Sequence, residues 1–242
     1  MAPSTSHGQT LINYNFEGLS NGALVGQDGW VLGGVGNVSP TVATYASSQV
    51  AGNAASTGTV IAKKTFFTAG DLSSSETVTL EFNVVRTAPG GTNFGVFGIG
   101  SASTTSAYFG LASNQFIIRG EGFGTTYVAT NLTADVGDLF TLQSVWNLST
   151  GMATLYAKNI TDGATEFTQL TFTGGVTSVS LGLSTNVSTW TTGYIRTAQS
   201  GSSAGYLDNL SAVAIPEPGV SSLLLGTSLG FLFARRRRSS LA

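Results

Sequence analysis

The chain has 242 residues, of which 41% are hydrophobic and 9% are charged, with 32 glycines, one histidine and no cysteine. Soluble domains usually carry roughly 25% charged residues, so this surface must consist mainly of uncharged polar residues and glycine. The lack of cysteine excludes a disulfide framework and thiolate chemistry. The single histidine, His7, excludes multi-histidine metal centres.

The formal net charge of −2 includes four consecutive arginines near the C-terminus, Arg235, Arg236, Arg237 and Arg238. Without residues 216–242, 6 basic residues face 11 acidic ones. Residues 1–215, the body of the protein, therefore lack the excess of basic residues that nucleic-acid binding requires. We expect no nucleic-acid partner.

The N-terminal residues 1–9 are small and polar, and we predict that they are disordered. Residues 1–10 have neither the basic start nor the apolar core of an export signal. Export would require such a signal, so either the natural start lies upstream or the signal has been trimmed. We favour an upstream start, because residues 9–12 resemble the opening of a mature exported domain.

Residues 10–213 show almost no helical periodicity and are predicted to form one β-sandwich domain. The clearest strand covers 76–84, where Val78, Leu80, Phe82 and Val84 fall on one face and polar residues on the other. The runs 139–146 and 152–157, joined by a Gly-containing loop, predict a hairpin. Further strands are predicted at 11–17, 58–67, 93–100, 106–111, 114–119, 126–130, 166–172, 178–184 and 206–213.

This number of short strands exceeds an immunoglobulin-size sandwich and favours an antiparallel jelly roll. Three segments also resemble concanavalin A-like (laminin-G-like) jelly-roll domains. They are the first strand and loop over 14–30, the hairpin with its Asp-Gly turn over 138–163, and the closing strand over 206–211. The resemblance implies that the closing strand pairs with the first.

Some enzymes of this fold are glycosidases, which need two carboxylates on one side of a sheet. Asp135 and Asp138 are three residues apart around a turn glycine, and Glu76 and Glu81 point to opposite faces of a strand. The Glu-x-Asp-x-x-Glu pattern of the related glucanases is absent. We therefore predict no catalytic residues, no enzyme activity and no cofactor.

A calcium site is a weaker candidate. Asp28, Asp208 and Asn209 would converge if the first and last strands pair, and carboxylate and amide oxygens are calcium ligands. The alternative is structural, with Asp28 in a turn and Asp208 at a strand end. Because no Asp-x-Asp-x-Asp-Gly loop supports it, no metal is predicted.

Two aromatic residues are candidates for stacking on sugar rings. Trp190 and Tyr194 are four residues apart in polar, loop-like sequence near Gly193, so a shared exposed platform for polysaccharide is one interpretation. The other is that both side chains plug the end of the sandwich.

The C-terminal segment 214–242 contains Pro216, Glu217 and Pro218, then an uncharged apolar stretch over 219–234, then the four arginines. This uncharged stretch predicts one transmembrane helix. The helix would be short, because it spans roughly 24 Å whereas the hydrocarbon core is ~30 Å thick. The arginines would stay on the cytoplasmic side and stop the helix there, placing the preceding residues outside.

This order of Pro-Glu-Pro, apolar helix and arginine cluster resembles the PEP-CTERM sorting signal of bacterial exported proteins. The resemblance implies recognition by an exosortase in the membrane, cleavage near Pro216–Pro218, and release to the cell surface or the extracellular polysaccharide matrix. The alternative is an ordinary C-terminal anchor.

Together these features predict an exported protein of the cell envelope, sorted by an exosortase, with a structural or adhesive β-sandwich. A carbohydrate-binding, lectin-like module is the alternative for the body, and a glycosidase-like enzyme is the second.

Overall fold

The computed structural model describes residues 8–34, 37–52, 59–88, 94–101, 107–121, 125–183, 186–199 and 205–216. Within these ranges the protein is an all-β antiparallel sandwich of two sheets. A turn of 3-10 helix at Val187–Thr189 precedes β16.

The strands in chain order are β1 Gln9–Tyr14, β2 Gly22–Ala23, β3 Val31–Leu32, β4 Thr41–Tyr45, β5 Ser48–Gly52, β6 Thr59–Thr65, β7 Glu76–Arg86, β8 Phe94–Gly100, β9 Ala107–Ala112, β10 Gln115–Arg119, β11 Thr126–Thr133, β12 Leu139–Asn147, β13 Met152–Asn159, β14 Thr168–Gln169, β15 Ser178–Ser180, β16 Thr192–Gln199 and β17 Gly205–Pro216.

The first sheet has ten strands, in the order β14-β13-β12-β7-β17-β5-β4-β2. β1 also pairs with β17, and β15 with β13. Strand β17 is central, because β7 lies along one edge from Gly205 to Pro216 while β1 and β5 share the other edge. The first and last strands of the domain are thus neighbours, as the sequence resemblance implied.

The second sheet has seven strands, in the order β11-β10-β9-β8-β16-β6-β3. Its register places the side chains of five adjacent strands in straight rows across the sheet.

The core between the sheets is rich in aromatic side chains. The alternation predicted for β7 is confirmed, since Val78, Leu80, Phe82 and Val84 are completely buried. Phe82 packs edge-on against two phenylalanines of the opposite sheet, with ring centres 5.8 Å and 5.2 Å away. Trp30, Trp146 and Trp190 are each no more than 1% exposed. Burial of these large rings is the main favourable contribution to folding.

The predicted hairpin over 139–157 is confirmed as β12 and β13, which pair from Phe140–Asn159 to Asn147–Met152. Strands β2, β3, β4, β5 and β16 were not predicted, and the strand predicted over 166–172 is confined to Thr168–Gln169. At its C-terminal end β17 continues three residues past the predicted domain boundary at 213, because its ladder with β7 extends to the Pro216–Glu76 pair.

The predicted transmembrane helix over 219–234 and the arginine cluster lie outside the described residues. In the part of the chain that the structure does describe, no helix is long and apolar enough to cross a membrane.

Truncating Phe82 tests the contribution of this core. We expect Phe82→Ala to lower the free energy of unfolding by about 3–5 kcal/mol, because it removes a buried ring and leaves a cavity between the sheets. Urea unfolding measures the change. The control is Val136→Ala, at a side chain 49% exposed, which should change stability by less than about 0.5 kcal/mol. Equal effects of the two substitutions would contradict this account of the core.

Candidate functional site

A pocket of about 240 Å³ opens on the outer face of the ten-stranded sheet, where β17 lies beside β7 and β5. The hairpin of β4 and β5 forms one wall, and the start of β12 closes the opposite side. The lining residues are Tyr45, Ala46, Ser48, Val50, Asn83, Val85, Leu139, Tyr206, Leu207, Asp208 and Asn209.

Two half-buried tyrosines form the aromatic part of this pocket. The ring centres of Tyr45 and Tyr206 are 5.1 Å apart, with their planes inclined by 33°. Gly52 on β5 makes room for them, since a Cβ atom there would lie 2.5 Å from Cε1 of Tyr206. The absence of a side chain at position 52 therefore lets the Tyr206 ring lie against the β5 backbone.

Asp208 and Asn83 supply polar groups next to these rings. They are direct partners in the β17–β7 ladder. The Oδ1 atom of Asn83 accepts a hydrogen bond from the Thr141 hydroxyl at 2.9 Å, which fixes the orientation of the amide. The Oδ1 atom of Asp208 accepts one from the backbone N–H of Asn209 at 2.7 Å.

Asp208 is half-buried, and this burial raises the pKa of its carboxyl group above the ordinary 3.8. Hydrogen bonds from the backbone N–H groups of Asn209 and Phe16 lower this pKa, whereas the negative charge of the nearby Glu17 raises it further. Burial is the largest of these causes, because it penalises the charged form.

The backbone around the pocket adopts left-handed conformations at residues other than glycine. Ala46 and Ser47 form the two-residue turn between β4 and β5, with φ of 48° and 77°. Asn209 has φ of 53° at the bulge that interrupts the β17–β7 register. Such conformations cost of order 1–3 kcal/mol each and concentrate at functional sites. Two of these residues, Ala46 and Asn209, line the pocket.

The platform predicted from Trp190 and Tyr194 is not formed. Trp190 is completely buried and packs edge-on against Trp146, with ring centres 6.4 Å apart, so the prediction that it is exposed to sugar is wrong. Tyr194 lies on β16, on the opposite side of the seven-stranded sheet from the core, and its hydroxyl donates to the carbonyl oxygen of Ser101. Burial raises the pKa of Tyr194 to about 12.

The calcium candidates Asp28 and Asp208 have different partners. The Oδ2 atom of Asp28 lies 2.6 Å from Nζ of Lys64, and this hydrogen bond lowers the pKa of the carboxyl group. Among the described residues no group of three histidine, cysteine or acidic side chains is arranged to hold a metal ion.

The other acidic residues considered above have structural roles. Asp138 accepts the backbone N–H of Asp135 within a turn, at 2.9 Å. Glu76 accepts the backbone N–H of Ser73 at 2.7 Å, and Glu81 accepts the Gln143 side chain at 3.0 Å. Of the predicted sorting motif only Pro216 is described, as the exposed last residue of β17.

Part of this pocket was predicted from the sequence, since Asp208 and Asn209 were candidate calcium ligands and the strand that carries Tyr206 was predicted over 206–213. Tyr45 was missed, because β4 was not predicted. Tyr45 lies four residues before Gln49 in a short stretch rich in Thr, Ala and Val. This composition is compatible with a strand, but apolar and polar residues alternate only weakly there.

No protein-family model matches this sequence, and no curated protein matches it. Solved structures do match. Peanut lectin, in a structure with a nine-residue peptide, has 10% identity and a TM-score of 0.53, with 85% of this chain and 97% of that chain covered.

Two further lectins are similar to the same degree. Metal-free lectin I-B4 of Griffonia simplicifolia has 9% identity and a TM-score of 0.53, covering 84% of this chain and 99% of that one. Lectin II of Ulex europaeus has 13% identity and a TM-score of 0.54, covering 86% and 99%. At such identities the likeness shows the fold, which is a sandwich resembling the legume-lectin jelly roll.

The raised pKa of Asp208 gives a testable dependence of stability on pH. The folded state holds the proton more tightly than the unfolded state, so ionisation of Asp208 destabilises the fold as pH rises through its raised pKa. We expect Asp208→Asn to be more stable than the wild type at neutral pH, and the gain to shrink as pH falls through the raised pKa of Asp208 and to be lost below the ordinary 3.8.

Urea unfolding at neutral and acidic pH measures this difference. Glu166→Gln, at an exposed loop position, is the control and should give no such gain at neutral pH. A stabilisation by Asp208→Asn that grows on acidification would contradict the proposed burial of the carboxyl group.

Proposed function

We propose that the β-sandwich is a carbohydrate-binding, lectin-like module whose sugar site is the pocket between Tyr45, Tyr206 and Asp208. The observation that carries this proposal is the inclined pair of tyrosine rings directly beside a carboxylate and an oriented amide. The matching structures are named as lectins, which supports the proposal at the level of the fold.

The chemistry of the lining suits a sugar. An aromatic ring contacts the apolar C–H face of a pyranose, while Asp208 and Asn83 supply acceptors for hydroxyl groups. Binding sites for small molecules generally combine such an apolar surface with a few fixed polar groups.

The lining also favours a neutral sugar over an acidic one. The lining residues that the structure describes include no lysine or arginine, and the half-buried carboxyl group of Asp208 would repel an anionic ligand. Glycoside hydrolysis requires a pair of carboxyl groups, and Asp208 is the one carboxyl group in the described lining. We therefore propose binding without catalysis.

We further propose that the module is exported and sorted through its C-terminal segment. This proposal rests on Pro216, Glu217 and Pro218 followed by the apolar stretch and the four arginines. An exosortase would be the processing partner, and the cell surface or the extracellular polysaccharide matrix the destination. If the β-sandwich binds sugars, the polysaccharide of that matrix would supply its ligand.

Removing the Tyr206 ring tests the sugar site. We expect Tyr206→Ala to weaken binding about tenfold on an array of neutral oligosaccharides of glucose, galactose, mannose and fucose, because stacking contacts contribute ~1 kcal/mol or more. Tyr156→Ala is the matched control, since Tyr156 is a half-buried tyrosine on the same sheet face outside the pocket. No binding by the wild type, or equal losses in both variants, would refute the site.

Replacing Pro216, Glu217 and Pro218 with alanine tests sorting. In a host that carries an exosortase, we expect the variant to stay unprocessed in the membrane fraction while the wild type is trimmed and released. Mass spectrometry of the mature protein and cell fractionation measure both outcomes. The control replaces Ser73, Ser74 and Ser75 in the body with alanine and should be processed normally. Normal trimming of the Pro-Glu-Pro variant would refute the proposal.

A further inference from the structure

The strand register divides the candidate pocket into a polar side and an apolar side. On the outer face of the ten-stranded sheet, Asp208 of β17 pairs with Asn83 of β7. Two residues further along the same strands, Tyr206 pairs with Val85. All four residues line the pocket. Because two residues of a strand span roughly 7 Å, the polar pair and the apolar pair lie about that far apart.

Strand β12 extends each pair into a row. Thr141 lies opposite Asn83, and Leu139 lies opposite Val85. The result is two parallel rows across three strands. The polar row consists of Asp208, Asn83 and Thr141, and the apolar row consists of Tyr206, Val85 and Leu139.

The polar row offers both an acceptor and donors to a ligand. The Thr141 hydroxyl donates to Oδ1 of Asn83 at 2.9 Å, so the two N–H groups of the amide point away from Thr141. The carboxylate of Asp208 is an acceptor beside them. Neighbouring hydroxyl groups of one sugar ring can use a carboxylate and an amide N–H at the same time.

The apolar row cannot satisfy a hydroxyl group. The side chains of Val85 and Leu139 contain no polar atom, and Val85 is only 3% exposed, so this wall of the pocket is firmly packed. A hydroxyl group placed against it would lose hydrogen bonds to water without replacement, and that loss weakens binding. A methyl group placed there would instead be removed from water, which favours binding.

We infer that the pocket selects a 6-deoxyhexose, with ring hydroxyl groups on the polar row and the C6 methyl group against Val85 and Leu139. An ordinary hexose has hydroxyl groups on every side of its ring. A 6-deoxyhexose has one apolar edge, because a methyl group replaces the hydroxymethyl group. This inference rests on the proposed function, since it names the class of sugar that the same pocket takes.

Pairs of sugars that differ by one oxygen atom test the inference. Methyl α-L-rhamnoside is compared with methyl α-L-mannoside, and methyl α-L-fucoside with methyl α-L-galactoside. The full 242-residue chain is titrated by calorimetry, in a detergent whose headgroup contains no sugar. In at least one pair we expect the deoxy sugar to bind about tenfold more tightly, because an added hydroxyl group is rejected by an apolar wall to about this degree or more.

The outcomes separate this inference from the proposed function. Equal binding within both pairs, or tighter binding of a hydroxylated sugar, would overturn the inference and leave the sugar site standing. The same holds if none of the four sugars binds while another neutral sugar does. Failure of every neutral sugar to bind would overturn both.

A substitution in the apolar row locates the selectivity. Leu139→Asn introduces a polar side chain of similar size, which can bond to a C6 hydroxyl group, and should reduce the preference to about twofold or less. Val145→Asn is the matched control, because Val145 is half-buried on the same face of β12 outside the pocket. It should keep the wild-type preference. An unchanged preference in Leu139→Asn, or an equal loss in both variants, would overturn the assignment to this row.

Two further variants give independent readings. Val85→Thr changes one methyl group to a hydroxyl group with nearly the same shape, and should also reduce the preference. Thr141→Val removes the donor that orients the Asn83 amide, and should weaken both sugars of a pair to the same degree. A change of preference in Thr141→Val, without a loss of affinity, would contradict the division into two rows. Thermal unfolding verifies that each variant is folded.

Discussion

The pairing of β17 with β7 is the constraint on which the rest of the structure depends. The two strands form a ladder from Gly205–Arg86 to Pro216–Glu76, with one bulge between Asp208 and Ser211. The inner side of this ladder provides the floor of the core, including Phe82 and Leu207. Its outer side carries Asn83 and Asp208. One register therefore fixes both the packing between the sheets and the polar groups of the candidate pocket.

The bulge in that ladder illustrates how a local irregularity produces a site. In a regular ladder every residue of β17 would oppose one residue of β7, and the sheet face would stay even. The extra residue in β17 puts Asn209 into the left-handed region, where its N–H group reaches the Asp208 carboxylate. The sheet gains a recess instead of a flat surface, and Tyr206 and Tyr45 flank it.

Glycines admit bulky neighbours at two points of the sandwich, one in each sheet. In both places a glycine, Gly52 or Gly98, admits a tyrosine or a neighbouring strand where a Cβ atom would clash.

The sequence was sufficient to predict the fold class and the strands with strong alternation. In β7 apolar and polar residues alternate without interruption, and in β12 and β13 a glycine-containing turn marks the hairpin. Strand β16 was missed because Thr192, Gly193 and Thr197 weaken the contrast between its faces. For this reason Tyr194 was predicted to lie in a loop beside Trp190. In the structure Trp190 packs in the core, whereas Tyr194 points away from it.

The candidate sites depend on contacts that have no local sequence signal. Tyr45 and Tyr206 are adjacent because β5 pairs with β17 through Ala51 and Leu207, across a long separation in sequence. The alignment of Arg119 with Lys63 across the seven-stranded sheet likewise depends on four strand registers, and a shift of one residue in any of them would break it. Residue types alone suggested aromatic and acidic candidates, but their grouping is a property of the sheets.

The course of β17 also has a mechanical consequence. This strand begins beside the pocket and ends at Pro216, so a tether attached at the C-terminal end and a ligand held in the pocket would pull on the same strand from its two ends. The load would run parallel to β17 and would be shared by its backbone hydrogen bonds to β7 and β1 acting in shear. Hydrogen bonds loaded together in this way share the force, so a pull along β17 would have to break its ladder with β7 as a whole rather than bond by bond.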